Sequence, residues 1–272
     1  MDLCDLHIHS THSDSALTVK EIVERAKVRD LKAIALTDHD TVSGLDEAKD
    51  LGLNNGIEVI SGIEISAQHL DSEIHILGYF IDHNTPEIKS AVATIGKYRL
   101  ERILKMLEKL NELGVALSKE QLLSRIKDSI PTRLHLGLAL IEAGYGTNLS
   151  KVFKKYLSPG RPAYISRFKY SVKDACDLIK SSGGLPFLAH PHIIRDQSWV
   201  EEFISFGIVG LEIEYFKMPA VKRMVYTNML KKYDLLRCGG SDAHGKYKPF
   251  IDIGDVQVSY DCVLDMKKRL KI

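Results

Sequence analysis

Ala33-Ile34-Ala35-Leu36-Thr37-Asp38-His39-Asp40 is an apolar run that breaks abruptly into acid, imidazole and acid. Four apolar residues in a row fit a strand buried on both faces, as in a parallel sheet, with the polar cluster at its carboxyl end. The N-terminal stretch repeats the pattern. A short strand over 2–8 runs into Asp5-Leu6-His7-Ile8-His9. Residues two apart on a strand point the same way, so His7 and His9 share a face. Between the two strands, Thr18 and Glu21 have the spacing of a capping box, which predicts a helix over 18–30.

The same rhythm extends along much of the chain. A helix is expected over 43–51, and two β-rich runs over 58–66 and 73–81 read as paired strands. After Pro162, helices over 171–182, 198–206 and 219–233 alternate with strands over 185–189, 209–214 and 235–239. Alternating β and α elements predict an α/β fold built on a parallel sheet or barrel. The middle of the chain differs. A long helix over 87–113 places Ile95, Leu100, Ile103, Leu104, Leu107 and Leu110 near one face and ends at Gly114. Shorter helices are expected over 119–126, 132–143 and 149–156, with no strand over 84–156. The predicted organisation is a barrel from 1–82 and 161–272 with a helical insertion or lid over 83–160.

The bulk composition suits this reading. The 272 residues are 44% hydrophobic and 27% charged, enough to bury the core of one barrel that carries an insertion. A net charge of +1 provides no global basic field of the kind duplex-DNA binders use. No apolar run approaches the roughly 20 residues that span a bilayer. The start of the chain lacks the basic-then-apolar pattern of a signal peptide. Cys4, Cys176, Cys238 and Cys262 are scattered, which points to reduced thiols in a cytoplasmic protein and away from a cysteine-based zinc site.

The chemistry lies where imidazoles and carboxylates meet strand ends. His7, His9, Asp14, His39, Glu64, His75, His190, Asp242 and His244 are nine candidate metal ligands. In a parallel barrel the carboxyl ends of the strands open onto one face, where residues distant in sequence converge. A single such histidine is ordinarily a hydrogen-bonded structural residue, and His39 between two acids could cap a turn. Nine ionisable groups at strand ends are costly to bury without a cation. One tetrahedral zinc needs about four ligands, so nine suggest two or three ions. Mixed imidazole and carboxylate ligation suits Zn2+, Mn2+ or Fe2+.

The segments Asp5-Leu6-His7-Ile8-His9-Ser10, Thr37-Asp38-His39-Asp40, Gly62-Ile63-Glu64, Ala189-His190-Pro191 and Gly240-Ser241-Asp242-Ala243-His244 resemble, in type and order, the motifs of the PHP (polymerase and histidinol phosphatase) superfamily. The resemblance covers nearly the whole chain. It implies a distorted (β/α)7 barrel with a trinuclear metal centre. By the same resemblance, His7, His9, Glu64 and Asp242 would hold one ion, Glu64, His75 and His190 a second, and Asp14, His39 and His244 a third. The helical insertion is similar to that of a stand-alone branch whose members hydrolyse nucleoside 3′,5′-bisphosphates or trim RNA from its 5′ end. That branch shows an Arg-x-His pair, here Arg133-Leu134-His135 with Leu where Pro is more usual, and a Gly-Arg-Pro-Ala-Tyr segment, here Gly160–Tyr164.

These residues imply a phosphoesterase that uses a metal-activated hydroxide on a small nucleotide or a short oligoribonucleotide, without a membrane or duplex-DNA partner. Arg133 can bind two phosphate oxygens through its guanidinium fork, and His135 can add a hydrogen bond. Arg161 is a further phosphate candidate, or else pairs with an acid at the barrel rim. Asp38, Asp40 and Glu212 are expected to orient the ligating imidazoles, or to cap turns. His192 reads as a loop residue, and His12, His69 and His83 as surface histidines. Two rival readings are a phosphomonoesterase for a metabolite such as histidinol phosphate and a nucleic-acid-binding module with a structural metal site.

Overall fold

The computed structural model describes residues 2–166 and 170–272 and divides into two compact units. The first runs to Ser90 and resumes in the C-terminal part of the chain; the second begins at Ala91. The division therefore falls inside a continuous helix, about a turn or two beyond the expected boundary at 82/83.

The first unit is an α/β barrel. Its elements are β1 (Leu3–Ile8), α1 (Val19–Val28), β2 (Leu31–Leu36), α2 (Leu45–Asn55), β3 (Glu58–His69) and β4 (Ser72–Tyr79). The helical segment then intervenes, with α3 (Pro86–Glu112), α4 (Lys119–Ile126), α5 (Arg133–Glu142) and α6 (Leu149–Val152), the last followed by a π-helical turn at Phe153–Leu157. The barrel resumes with α7 (Val172–Ser181), β5 (Leu185–Leu188), α8 (Trp199–Ser205), β6 (Gly210–Tyr215), α9 (Ala220–Lys232), β7 (Leu236–Gly240), β8 (Val258–Ser259) and α10 (Asp261–Leu270).

The sheet order is β7-β6-β5-β4-β3-β2-β1-β8. The sheet nearly closes on itself because the end of β1 also meets the end of β7: the Asp242 amide donates to the His7 carbonyl at 2.8 Å, and Ile8 bridges Ala243. The beginning of β1 instead pairs with the short antiparallel β8. β1, β2 and β3 are mutually parallel, as are β5, β6 and β7. β4 runs against both of its neighbours. The reversed strand and the added β8 are the distortion of the expected (β/α)7 barrel. β3 extends to His69, beyond the expected 66, because its hairpin ladder with β4 continues to the Ser72 pair.

The barrel core explains where the polar groups go. Ile60 on β3, Leu77 and Tyr79 on β4, and Phe187 on β5 belong to one buried apolar cluster with Cys4, Leu6, Cys238 and Met266. Two residues is the repeat along a strand, so Glu64 shares a face with Ile60, and His75 shares one with Leu77 and Tyr79. Apolar side chains fill the barrel, and the same faces turn ionisable at one end. Because β4 is reversed, its beginning lies beside the end of β3, where Ser66 pairs with His75. That reversal brings His75 to the ligand-bearing end.

Local signals behave as expected at α1. The Thr18 side chain accepts from the Glu21 amide, and Glu21 reaches back to the Thr18 amide. The second unit is built on the apolar stripe of α3. Ile103, Met106, Leu107 and Leu110 pack with Leu122 of α4, Leu136 and Leu140 of α5, and Tyr156 and Leu157 of the π-helical turn. No strand occurs in it among the described residues.

Candidate metal and active site

His7 and His9 leave β1 on one side, and both are fully buried. Their Nε2 atoms stand 3.1 Å apart. Glu64 Oε2 lies 3.3 Å from His7 Nε2, 3.2 Å from His9 Nε2 and 3.0 Å from His39 Nδ1. Its other oxygen, Oε1, lies 3.0 Å from His75 Nδ1 and 3.3 Å from His190 Nε2. Asp242 Oδ1 is 3.2 Å from His9 Nε2 and 3.4 Å from His244 Nδ1. Asp14 closes the far side, 3.3 Å from His244 Nε2 and 3.9 Å from His39 Nε2. All nine residues singled out in the sequence thus form one continuous cluster around Glu64.

The backbone bends sharply to deliver two of them. His190 has φ 29° and Asp242 φ 52°, in the left-handed region that favours glycine. Asp40, next to His39, has φ 53°. Such positions cost on the order of 1–3 kcal/mol each and persist where surrounding structure imposes them.

The donor set fits divalent ions. Three subsets bring their ligand atoms within 4.8 Å of one another: His9, Asp14, His39 and His244; His7, His9 and Asp242; and His39, Glu64 and His75. The buried Nδ1 atoms of His39 and His75 have no hydrogen-bond partner, although a Glu64 oxygen lies 3.0 Å from each. Such groups approach without the alignment of a hydrogen bond, which is costly for a buried polar set but natural for atoms converging on a cation. Burial would raise the Glu64 carboxyl, yet the imidazoles around it, His75 and His7 among them, hold it well below its usual range. Asp14 and Asp242 are likewise held low, against burial, by His244 and by His7 and His244 respectively. The carboxylates are therefore anionic at neutral pH, as a metal ligand must be.

Residues 5–180 match the family model described as the PHP domain. The chain belongs to the PHP family. Among its relatives, a 5′-3′ exoribonuclease of Haemophilus influenzae is 31% identical over 88% of this chain and 89% of its own length. A 3′,5′-nucleoside bisphosphate phosphatase of Chromobacterium violaceum is 30% identical over 93% of this chain and 91% of its own. A solved structure described as a putative metal-dependent phosphoesterase from Bifidobacterium adolescentis superposes with a TM-score of 0.90 at 29% identity, covering 98% of this chain and 96% of that one. The PHP chain is accordingly a metal-dependent phosphoric ester hydrolase. Among the described residues, no helix is long and apolar enough to cross a membrane.

Around the PHP cluster, the supporting acids divide between the two expected roles, orienting an imidazole and fastening turns. Glu212 touches an imidazole, with Oε1 2.8 Å from His7 Nδ1, and its Oε2 accepts the His190 amide at 2.6 Å. Asp38 instead accepts from the Ser10 amide and from the hydroxyls of Ser10 and Ser13, so it fastens the loop after β1. Asp40 Oδ1 accepts the Ser66 amide and ties its turn to β3. Both acids immediately follow the apolar run of β2, where loop amides and hydroxyls crowd them.

Three residues that touch the ligands were not singled out in the sequence. Tyr215 donates to Asp242 Oδ2 at 2.6 Å, and burial together with Asp242 pushes its phenol pKa up, so it stays a donor. Lys248 Nζ reaches the same oxygen at 2.6 Å. Glu73 Oε1 lies 2.6 Å from His75 Nε2, on the side of the ring away from Glu64. Only the Glu73-x-His75 spacing on a strand could have suggested the last of these.

The remaining histidines are corrected in part. His83 is buried rather than superficial, with Nε2 2.7 Å from Asp46. His69 packs edge-on against Trp199 and Phe203. His12 is half-buried beside Ser43. His192 lies in the short turn after His190, its ring 5.0 Å from that of Tyr215.

Within the helical unit, Arg133 opens α5. Its guanidinium lies 5.6 Å from the Phe153 ring centre and 5.9 Å from that of Tyr164, and Nη1 donates to the Leu157 carbonyl. His135 is buried. Its Nδ1 contacts the Thr132 amide and hydroxyl, and its Nε2 contacts the Ser129 hydroxyl. Its ring serves as the helix cap that glutamate or glutamine supplies elsewhere. Arg161 is exposed.

Proposed function

We propose that this chain hydrolyses phosphate esters of nucleotides, taking either the 3′-phosphate of a nucleoside 3′,5′-bisphosphate or the 5′ end of a short RNA. The observation that carries the reading is the single buried to half-buried cluster of six imidazoles and three carboxylates around Glu64. In this reading it holds two to three divalent ions, Mn2+, Zn2+ or Fe2+. Such ions, when bound, lower the pKa of water toward neutrality and offset charge on the phosphoryl oxygens.

The chain's own residues do the rest. Glu212 fixes the His7 ring so that Nε2, not Nδ1, faces the cluster. Tyr215 and Lys248 hold Asp242 Oδ2 and leave Oδ1 toward His9. Arg133 is the candidate for a substrate phosphate, its planar fork lying beside the rings of Phe153 and Tyr164. His135 acts on that phosphate indirectly, by ordering the turn that presents Arg133. Arg161 is a second phosphate candidate at the exposed edge of the same unit.

A substrate panel tests the proposal. The metal-loaded protein is offered nucleoside 3′,5′-bisphosphates, 5′-phosphorylated short RNAs and phosphorylated metabolites such as histidinol phosphate. Nucleotide substrates should show the highest kcat/KM. Turnover of the metabolites alone, or of nothing with any of the three metals, would overturn it.

A further inference from the structure

Tyr215-Phe216-Lys217 leaves the end of β6, and Lys246-Tyr247-Lys248-Pro249-Phe250 follows the turn after β7. The two segments contain four aromatic rings, three lysines and no carboxylate. They meet in space. The Phe216 and Phe250 rings stack with centroids 5.5 Å apart at 27°. Phe250 is 60% exposed, although a phenylalanine with a core available to it is ordinarily buried.

Each lysine of the strip lies against a ring. Lys217 Nζ is 4.9 Å from the Phe216 ring centre, Lys246 Nζ 5.6 Å from that of Tyr247, and Lys248 Nζ 5.5 Å from that of Tyr215. Lys217 and Lys246 are exposed, and neither takes part in an ion pair among the described residues. Lys248 and Tyr215 both contact Asp242 Oδ2. The strip therefore starts at the metal-ligand cluster and continues outward to Phe250.

Aromatic faces interleaved with cations are the chemistry of single-stranded nucleic acid, in which each nucleotide offers a stacking face and a phosphate. An acidic peptide would use the lysines but leave the stacked rings without a role. An apolar protein surface would leave the lysines buried without counter-charges. We propose that Phe216, Phe250, Lys217 and Lys246 form a platform that binds the bases and phosphates of a single-stranded oligonucleotide whose terminal ester enters the metal site. The inference rests on the phosphoesterase reading above and deepens it, because it selects an oligonucleotide over a mononucleotide.

Binding is read on the metal-loaded enzyme by fluorescence anisotropy, with hydrolysis-resistant phosphorothioate oligoribonucleotides of one, two and four nucleotides. Wild-type affinity should rise with length. Phe250→Ala should weaken tetranucleotide binding at least about fivefold, the loss expected for one stacked base, and Phe250→Trp should retain it. The Lys217→Ala/Lys246→Ala double variant should flatten the log K against log salt slope by about 1 to 1.5, as two lost phosphate contacts to a single strand would. Melting temperature and metal content, measured alongside, verify that these exposed substitutions leave the fold intact. Equal tetranucleotide affinities for wild type and Phe250→Ala, or a wild type whose affinity does not rise with length, would overturn the platform. Either result in an enzyme that still hydrolyses nucleotides removes the platform alone. Absence of all phosphoesterase turnover removes the functional reading, whatever the binding data show.

Discussion

Glu212 Oε1 lies 2.8 Å from His7 Nδ1, and both side chains are completely buried. With Nδ1 donating to Glu212, the Nε2 atom of His7 is the ring nitrogen that faces Glu64 and His9. Glu212→Gln keeps the volume and removes the carboxylate that accepts from Nδ1. Outer partners of ligating histidines are typically worth about 10–100-fold in metal affinity or activity. A loss of that size is expected for Glu212→Gln, measured by competition with a chelator of known affinity. An unchanged affinity would show that Glu212 serves only the fold.

Metal uptake should be strongly pH-dependent. Burial opposes charge on the imidazoles, but the surrounding carboxylates outweigh it and raise His9 to about 9, His75 to about 10 and His7 well above its ordinary value. His39 is the exception: burial lowers it to about 3 and keeps it neutral. In the metal-free protein at pH 7 the first three imidazoles hold protons that a cation must displace. Apparent affinity should rise from pH 6 to 9, and calorimetry in buffers of different ionisation enthalpy should detect released protons. Affinity that is flat over this range would refute the assignment.

Stability of the metal-free protein follows from the same shifts with the opposite sense. A raised folded-state pKa contributes stability that is fully present below the unfolded value, about 6.5 for histidine, and is lost as pH rises through about 9 to 10. The lowered carboxyls of Asp14, Glu64 and Asp242 contribute above their ordinary values and lose that contribution as pH falls below them. The lowered His39 favours unfolding as pH falls below about 6.5, so the apoprotein melting temperature should peak near pH 6.5 and decline on both sides. A chelated sample melting highest at pH 9 would contradict this.

Gly240→Ala probes the seam between β7 and β1. A Cβ there would stand 2.3 Å from the His7 amide nitrogen and 2.6 Å from its Cβ. Backbone cannot yield cheaply at that distance, so the strands must part and His7 must move. A destabilisation of about 1–3 kcal/mol, typical of overpacking, should accompany a loss of metal affinity. Thermal melts and chelator competition on the same sample test both effects. A variant with wild-type values for both would mean that the seam is looser than described.

Arg133→Ala should separate binding from chemistry. Loss of a charge-assisted hydrogen bond is worth about 1.5–3 kcal/mol, roughly 10- to 150-fold. If Arg133 contacts a substrate phosphate equally in ground and transition states, KM rises by that factor while kcat is retained. Because its guanidinium also packs on Phe153 and Tyr164, Arg133→Lys should recover little. Normal kinetics in Arg133→Ala would remove it from the substrate site.

The sequence by itself determined what depends on neighbours along the chain. The two-residue repeat of a strand puts His7 beside His9, and the Thr18–Glu21 spacing starts α1; both are local geometry. The apolar runs that end in imidazole or acid were legible because a strand buried on both faces has nowhere to put polar groups except its ends. The short hairpin after β3 sets the antiparallel direction of β4 and so brings His75 to Glu64, whereas tertiary structure alone decided that β4 also pairs with β5. Tertiary structure also decided that Asp38 serves Ser10 and Ser13 and that Tyr215 and Lys248 grip Asp242. Those partners come from separate turns of the chain, and a hydrogen bond is chosen by what folding brings within about 3 Å.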